Sequence, residues 1–507
     1  MSDESVHAAL RSEHPLVLVE APAGCGKTYQ GADYARELVK TSTRGRPLIL
    51  THTHAACSVF ADRTSGHRNA IDIKTIDSVI ARIATTYHKG LGIPADTSAW
   101  VRLRGEKGHS ELAMKVSGLL KRYPMIASSL ARRHPFIICD EHQDSSGDQH
   151  ALVMALLERG AKVRVFADPM QKIFSDKTLE GSCPPCDWSG LKKVAHACEE
   201  LDVPHRWKDG SPALGDWTLA VRKALSSGGV IDLKGALPDG LSVTFAENQA
   251  KKYGDYALAK PDRKPVDLFV ESQDSLLVLT RHNQTARAYR GCFYRRISLW
   301  EGHTRSGLEK LVNAITAADG DCGKLGSAIV TFLDDVGKGF SPSAFGDAFQ
   351  QEISDRCAKP RKGKPAAIQE LAQCVLNNPN HRGVAGMLRR LAERKASDPV
   401  FAEIEFDNYR EFRDAIRLGD FSDAETGLAE ITHHRTYARP KPPAKAISTI
   451  HKAKGLECDS VVVMPCDAKT FPDKDDARCL LYVALSRAKK RVMLVLSRDN
   501  PSPLFKT

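Results

Sequence analysis

A glycine-rich turn near the start of the chain constrains its fold more strongly than any other feature. Residues 21–28 read Ala-Pro-Ala-Gly-Cys-Gly-Lys-Thr, follow an apolar run at residues 16–19 and precede a segment with helical apolar spacing. A buried strand, a turn that needs glycine and a helix N-terminus that attracts anions together make a phosphate-binding loop. The sequence therefore predicts an α/β fold that binds a nucleotide at this turn.

The residue types in the loop have distinct expected roles. Lys27 would reach the β- and γ-phosphates, and Thr28 would hold Mg²⁺ through its hydroxyl. The backbone of four residues would curl around the anion: Ala23, Gly24, Cys25 and Gly26. Ala21 stands where the general pattern has a glycine. A glycine-rich loop that binds nothing is the alternative, and the flanking strand and helix argue against it.

Two adjacent carboxylates follow a second apolar run. Residues 136–139 predict a buried strand that delivers Asp140 and Glu141 to its C-terminal end. In a phosphate-loop protein this arrangement suits Mg²⁺ held by Asp140 and an attacking water polarised by Glu141. Another predicted strand, which begins at Val163 and ends in polar groups, leads to Gln171, which would sense the γ-phosphate.

Length and charge narrow the function classes. A chain of 507 residues is too long for one core, so we expect several domains. The net charge of +11 and the pI of about 9.0 suit a polyanionic partner. The sequence has no apolar run near the ~20 residues of a membrane span. An acidic start without a signal peptide and scattered cysteines predict a reduced, cytoplasmic protein.

A cysteine pair raises the question of a zinc site. Cys183 and Cys186 are followed by His196 and Cys198, but the spacing is irregular and no second pair of this kind occurs. We therefore favour ordinary reduced thiols over zinc.

Eight stretches occur in the order of the motifs of UvrD/Rep/PcrA-like DNA helicases of superfamily 1A, and the chain resembles that family over nearly its whole length. Any one stretch is weak, whereas the ordered series is specific. The stretches are residues 21–28 (phosphate loop), 51–56, 75–78, 140–144 (motif II), 168–171 (motif III), 205–206 (motif IV), 448–457 (motif V) and 483–488 (motif VI).

The resemblance implies two RecA-like P-loop domains, with parallel sheets flanked by helices and reduced helical insertions 1B and 2B. We expect the first domain, 1A, at residues 1–78 and 134–225, interrupted by insertion 1B at 79–133. The second domain, 2A, would occupy residues 226–300 and 440–507, interrupted by insertion 2B at 301–439.

The resemblance also implies that ATP and Mg²⁺ bind between two lobes. The first lobe would supply Lys27, Thr28, Asp140, Glu141 and Gln171, and the second Arg206, Gly455, Glu457 and Arg487. Both arginines would stabilise transition-state charge on the γ-phosphate after the lobes close, and Glu457 would contact the ribose. Residues 201–205, just before Arg206, are expected to end a strand.

Single-stranded DNA would cross both lobes in this family. Bases would stack on His52, Phe174 and Trp188, and a further set would hold the strand: Thr51, His54, Thr75, Thr449 and His451. Alternatives stay open at three positions. His52 would otherwise be a hydrogen-bonded strand-end histidine and Trp188 a packed loop aromatic, and Arg281 would contact DNA or pair with a carboxylate.

The implied function is that of a DNA-dependent ATPase, an ATP-dependent single-stranded DNA translocase or helicase with 3′–5′ polarity. The compact size and motif set resemble the helicase-like GajB subunit of Gabija anti-phage defence systems, which implies an OLD-family nuclease partner (GajA-like). The alternative is a nucleotide- and DNA-sensing subunit that licenses a nuclease with little unwinding of its own. A small-molecule kinase is disfavoured by the paired arginines Arg206 and Arg487 and by the second α/β unit.

Overall fold

A computed structural model describes most of the chain, and it divides into two compact units, Met1–Ile297 with Pro442–Thr507 and Ser298–Lys441. The domain boundaries expected at residues 301 and 439–440 lie outside the described residues. The described residues are 2–41, 45–67, 69–174, 178–250, 256–294, 296–300, 306–340, 342–406, 408–436 and 442–507.

The strands and helices of these described residues are numbered in chain order. The strands are β1 (Leu16–Glu20), β2 (Leu48–Thr51), β3 (Asp72–Thr75), β4 (Phe136–Cys139), β5 (Lys162–Ala167), β6 (Ala197–Glu200), β7 (Ile231–Asp232), β8 (Leu241–Phe245), β9 (Leu276–Thr280), β10 (Ser298–Leu299), β11 (Gly337–Lys338), β12 (Glu405–Phe406), β13 (Lys445–Thr449), β14 (Cys458–Cys466), β15 (Ala488–Leu496) and β16 (Phe505–Lys506). The helices are α1 (Ser2–Arg11), α2 (Lys27–Thr41), α3 (His54–Arg63), α4 (Ile76–Thr86), α5 (His88–Leu91), α6 (Thr97–Leu103), α7 (Gly108–Arg122), α8 (Pro124–Arg133), α9 (Gly147–Leu157), α10 (Trp188–Val194), α11 (Pro212–Ser226), α12 (Lys260–Glu271), α13 (Asn283–Cys292), α14 (Ser306–Ala318), α15 (Cys322–Val336), α16 (Asp347–Ser354), α17 (Lys364–Asn377), α18 (His381–Ser397), α19 (Tyr409–Arg417), α20 (Ala424–Thr436), α21 (Ile450–Ala453) and α22 (Asp475–Leu485).

The first lobe is built on a six-stranded parallel sheet in the order β3-β2-β4-β5-β1-β6. Its central strands are continuous apolar runs because helices cover both faces, as parallel sheets require. Since all six strands run the same way, their C-terminal ends meet at one edge. That edge carries the phosphate loop after β1 and the carboxylates after β4.

Helices α4 to α8, which include the segment expected as insertion 1B, pack onto this sheet. Ile80, Val116 and Ala127 share a hydrophobic core with Ile137 and Val163 of the strands. These helices therefore belong to the same compact unit as the first sheet.

The second lobe contains five parallel strands in the order β13-β9-β14-β15-β8, within the same compact unit as the first lobe. The register pairs Thr449 with Thr280, so the polar ends of β13 and β9 lie side by side. The two parallel sheets flanked by helices confirm the predicted α/β fold class.

The second compact unit is helical, with α14 to α20 packed around an apolar core. Its aromatic residues pack closely, with the rings of Phe345 and Phe349 stacked at 5.4 Å between centroids. None of the helices in the described residues of either unit has the length and apolar character to cross a bilayer.

Candidate nucleotide-binding site

The phosphate loop follows β1 and needs glycine at two positions. Gly24 and Gly26 have φ angles of +76° and +87°, a region that residues with a Cβ rarely adopt. A Cβ on Gly24 would also lie 2.7 Å from both Arg206 Cβ and the Trp207 ring. The loop is therefore packed against the turn His205–Trp207.

Lys27, the first residue of α2, forms an ion pair with Glu141. Burial opposes the charge on Lys27, but Glu141 and Asp140 outweigh it and raise the pKa of the amine. Burial likewise opposes the charge on Glu141, but Lys27 and Lys454 lower the pKa of this carboxyl. The Gln143 amide also donates to Glu141. The pair is thus a charged one, and both partners are the ones that the sequence assigned to catalysis.

Asp140 directly follows β4 as a buried carboxyl group, and burial raises its pKa. Its backbone N–H donates to the Leu50 carbonyl over 2.8 Å, whereas Oδ1 has no hydrogen-bond partner within the described chain. Hard oxygen donors are the ligands that Mg²⁺ prefers. The unpartnered oxygen of Asp140, with the hydroxyl of Thr28 in the first turn of α2, fits the ion that the sequence predicts.

Gln171 links motif III to the second lobe. Its amide nitrogen donates to Asp168 Oδ2 over 2.7 Å, and its amide oxygen accepts from Arg487 over 3.4 Å. Asp168 is fully buried and receives a further bond, 3.0 Å long, from Arg222 on α11. This network orients the Gln171 side chain toward the second lobe.

Arg487 follows the end of α22 and is 2% exposed. It donates to the carbonyl oxygens of Val483 at 2.9 Å and Leu456 at 3.3 Å and to Ser486 Oγ at 2.8 Å. No carboxylate in the described chain forms an ion pair with it, and burial lowers its pKa to about 10. A buried guanidinium that is not held in a direct ion pair is suited to receive an anion.

Arg206 was expected to come from the second lobe, but its backbone is attached to the first lobe. Its backbone N–H donates to the Gly24 carbonyl over 3.1 Å, so it is anchored on the phosphate loop rather than supplied by the second lobe. Its side chain does reach that lobe, over 2.6 Å to the Ser486 carbonyl and 2.5 Å to Glu457. The preceding strand ends at Glu200, and Arg206 lies in a 3-10 turn, so the expected strand end at 201–205 was wrong.

The nucleotide-site residues of the second lobe lie close to Arg206. Glu457 pairs with both Arg206 and Lys489, the latter over 3.2 Å. Gly455 has a φ of +83°, which glycine favours, and a Cβ there would meet open space. The turn before β14 therefore presents a carboxylate beside the phosphate loop.

The sequence analysis missed three further residues of the site, of which Tyr482 and Lys454 join the two lobes and Arg222 binds carboxylates of the first lobe. Tyr482 Oη accepts from the Ala23 N–H over 2.9 Å, and Lys454 pairs with Asp144. Lys454 lies within motif V and Tyr482 directly precedes motif VI, so a polar residue in or next to these motifs was the available signal. Arg222 on α11 had no local signal, because its partners Glu20, Asp168 and Glu200 lie at the C-terminal ends of three different strands.

The three threonines predicted to contact DNA are the last residues of β2, β3 and β13. Thr75 and Thr449 cap α4 and α21 by accepting from the N–H groups of Ser78 and Lys452. Thr51 donates to the Thr53 carbonyl over 3.1 Å, and His54 begins α3. These hydroxyls therefore serve local turns in the structure.

Phe174 and His451 come together from the two lobes. Phe174 is 51% exposed, and its ring centroid lies 6.0 Å from that of His451. The Lys454 amine lies 5.1 Å from the Phe174 centroid. An exposed aromatic ring, an imidazole and a cation thus share one surface at the lobe boundary.

The three positions that the sequence left open have partners within the protein. The Trp188 indole donates to Glu20 over 3.4 Å, and His52 Nε2 is bonded to Ser145 Oγ over 3.1 Å. Arg281 pairs with Asp476 over 2.5 Å. These contacts favour the packed aromatic, the strand-end histidine and the carboxylate pair.

The fold and the site define a P-loop protein with two RecA-like domains, and two family models match the chain. The AAA domain matches residues 4–176, which include Lys27, Asp140 and Gln171. The UvrD-like helicase C-terminal domain matches residues 446–495, which include Glu457 and Arg487. Together the matches support a UvrD-like helicase of superfamily 1, and domains of this kind imply ATP-dependent helicase or translocase activity on nucleic acid.

Proposed function

We propose that the chain is an ATP-dependent single-stranded DNA translocase and helicase that hydrolyses ATP between its two lobes. The observation that carries this proposal is Arg487. It is buried in the second lobe, it forms no ion pair with any carboxylate that the structure describes, and its guanidinium donates to the Gln171 amide oxygen of the first lobe. An arginine held at such a boundary can stabilise the charge that develops on a transferred phosphoryl group.

The Lys27–Glu141 pair gives this site a switch that needs no large motion. The phosphates of ATP would replace Glu141 as the partner of Lys27, because two anions compete for one amine. Glu141 would then be released to accept a proton from the attacking water. Thr28 and Asp140 would hold Mg²⁺, which neutralises phosphate charge, while the backbone from Ala23 to Gly26 cradles the anion.

Contacts across the lobes would couple ATP turnover to movement. Arg206 is anchored on the phosphate loop and bonded to Glu457, so both respond to the same nucleotide. Tyr482 and Lys454 bind the loop and motif II from the other lobe. A change at the phosphates would therefore alter the angle between the lobes.

The DNA strand would pass over Phe174 and His451, where stacking tolerates any base. Thr51, His54, Thr75 and Thr449 would add contacts at the strand ends. The net charge of +11 predicts binding that weakens steeply with salt, since each neutralised phosphate releases counterions. The preference for DNA and the 3′–5′ polarity are carried over from the resemblance.

Hydrolysis is tested with Glu141→Gln, which keeps the side-chain shape and removes the base. We expect nucleotide binding at least as tight as in the wild type, because Lys27 loses a competing carboxylate, and turnover lower by ~10²-fold or more. The measurement is phosphate release with and without single-stranded DNA. Glu158→Gln, at the exposed end of α9, is the matched control. Wild-type turnover in Glu141→Gln would remove Glu141 from this role.

Unwinding and polarity are tested on partial duplexes with a 3′ or a 5′ tail. Displacement from the 3′-tailed duplex alone supports the proposal. ATPase activity without displacement of either duplex would favour the nucleotide- and DNA-sensing subunit instead.

The role in anti-phage defence and the OLD-family nuclease partner complete the proposal, and they rest on the compact size and motif set. Co-purification of the tagged chain from its own host tests them. Recovery of a nuclease in a fixed ratio supports the partnership, and recovery of the chain alone contradicts it.

A further inference from the structure

A cluster of three side chains lies beside motif II but outside the nucleotide site. His142 comes from the turn after β4, His150 from α9 and Cys186 from the loop before α10, and their ligand atoms all lie within 4.8 Å of one another. We propose that these residues bind a divalent transition-metal ion of the zinc type, with water as the fourth ligand. Two imidazoles and a thiolate are a donor set that Zn²⁺ favours.

The two histidines already have nearly the spacing that a metal requires. His142 Nε2 and His150 Nδ1 lie 3.0 Å apart, and the rings are tilted by 55°. Two nitrogens bound to tetrahedral zinc lie about 3.3 Å apart, given Zn–N distances of about 2.0–2.1 Å. A shift of a few tenths of an ångström would therefore admit the ion between them. Cys186 Sγ, from the loop before α10, completes the set.

The residues that would orient the His142 ring toward a metal ion are also in place. Its second nitrogen, Nδ1, lies 3.1 Å from Ser145 Oγ, which lies 3.1 Å from His52 Nε2. With a metal on Nε2, the proton resides on Nδ1 and is donated to Ser145, whose hydroxyl donates onward to His52. Partners of this kind fix the orientation of a ligating imidazole. His142 is 2% exposed, so its ring is held in place by burial as well.

The loop that carries Cys186 is pressed against α9. A Cβ on Gly147 would lie 2.0 Å from the Cys183 carbonyl oxygen and 2.3 Å from that of Pro184, so only glycine admits the loop. The Cys183 N–H also donates to Asp148 over 3.2 Å. This packing brings Cys186 to the side of His150.

The cluster differs from the four residues that the sequence analysis considered for a zinc site. Of those four residues only Cys186 takes part, while the Cys183 thiol contacts the Lys121 amine at 3.2 Å. The proposed ion would tie the loop to the turn that carries Glu141 and Gln143. It would therefore stiffen the catalytic carboxylate turn without touching the nucleotide.

In the test, one equivalent of Co²⁺ is added to the full chain. Excess Mg²⁺ is present to occupy the carboxylates of the nucleotide site, so that Co²⁺ does not bind there. We expect one bound Co²⁺ per chain, visible tetrahedral bands and a near-ultraviolet thiolate-to-metal band. Cys186→Ser should abolish the thiolate band. Loss of a residue that only hydrogen-bonds a metal ligand weakens metal binding by about 10- to 100-fold, and His150→Ala, which removes a ligand itself, should weaken it by more than that. Cys183→Ser, three residues away in the same loop, should retain both band and affinity.

Two further measurements separate a metal site from a purely structural cluster. Zn²⁺ should raise the thermal midpoint of the wild type and of Cys183→Ser but not that of Cys186→Ser. The reason is that an ion stabilises a protein only when it binds the native state more tightly than the unfolded state, and the loss of Cys186 removes a ligand of the native site. Ser145→Ala should weaken metal binding by about 10- to 100-fold while keeping the thiolate band. Absence of a thiolate band in the wild type, or its equal loss in both cysteine variants, would overturn the proposal.

Discussion

Lys454 of the second lobe donates to both carboxylate oxygens of Asp144 in the first lobe, over 2.7 and 2.6 Å. The same amine donates to the Gln171 carbonyl over 2.7 Å. The two side chains are only 11% and 12% exposed, so the ion pair is shielded from water. Motif V is thus joined to motifs II and III by one amine.

Loss of this amine should destabilise the two-lobed unit. Lys454→Met leaves Asp144 buried without its counter-charge, and we expect a loss of about 3–5 kcal/mol in the free energy of unfolding. Lys490→Met is the control, because Lys490 and Asp459 are 53% and 42% exposed and such pairs contribute about 0–1 kcal/mol. Denaturant unfolding measures both. Adding Asp144→Asn to Lys454→Met should recover part of the loss, and equal effects of Lys454→Met and Lys490→Met would contradict the prediction.

Removal of the Arg487 guanidinium should spare nucleotide binding and slow turnover. Arg487→Ala leaves the phosphate loop intact, so ATP affinity should stay close to that of the wild type. DNA-stimulated turnover should fall by ~10³-fold or more, since the transition state loses a charged donor. Arg487→Lys should rescue poorly because an ammonium lacks the planar fork.

The control for Arg487 is Arg498→Ala, which removes a half-exposed guanidinium paired with Asp262. Nucleotide affinity and steady-state ATPase are measured on all three variants. Near-normal turnover in folded Arg487→Ala would show that the lobes do not act together on the nucleotide.

Truncation of Phe174 should weaken binding of single-stranded DNA. The exposed ring faces His451 and the Lys454 amine, and stacking on such a ring contributes about 1–3 kcal/mol per base. Phe174→Ala should therefore bind a fluorescent oligonucleotide about 5- to 150-fold more weakly, and Phe174→Trp should bind as tightly as the wild type. Tyr123→Ala removes another exposed aromatic and should have no effect. Unchanged affinity in Phe174→Ala would place the strand elsewhere.

The buried imidazole of His134 should make stability depend on pH. Burial outweighs both the hydrogen bond to the Arg46 carbonyl and the charge of Asp72, and it lowers the pKa of His134 below the ordinary 6.5. Below pH 6.5 the unfolded chain therefore binds more protons at this residue than the native chain does. The stability is fully present above that pH and is lost as pH falls, by up to about 1.4 kcal/mol per pH unit.

The comparison that isolates His134 is wild type against His134→Gln, unfolded by urea between pH 8 and pH 5 with a chelator present. The difference in unfolding free energy should be constant above pH 7 and should shift in favour of the variant at lower pH. A difference that does not change with pH would contradict the lowered pKa.

Much of the fold was accessible from local patterns. The apolar runs at residues 16–19 and 136–139 are the cores of β1 and β4, because a strand buried on both faces is apolar throughout. The position of Arg206 could not be predicted from local patterns. The turn His205–Trp207 has no periodicity, and its location depends on a hydrogen bond to the carbonyl of Gly24. The expected strand end there failed for the same reason.

The sequence by itself determined the chemistry of the phosphate loop and the presence of two α/β lobes, because positive-φ glycines and buried strands act through neighbouring residues. Only the tertiary structure decided which charges are paired. Lys27 meets Glu141, and the Ala23 N–H meets Tyr482 from 459 positions away, whereas the buried Arg487 forms no ion pair with a carboxylate in the described part of the chain. Pairing energies in a buried site depend on distance and desolvation, and both arise only when strands remote in sequence are brought to one edge.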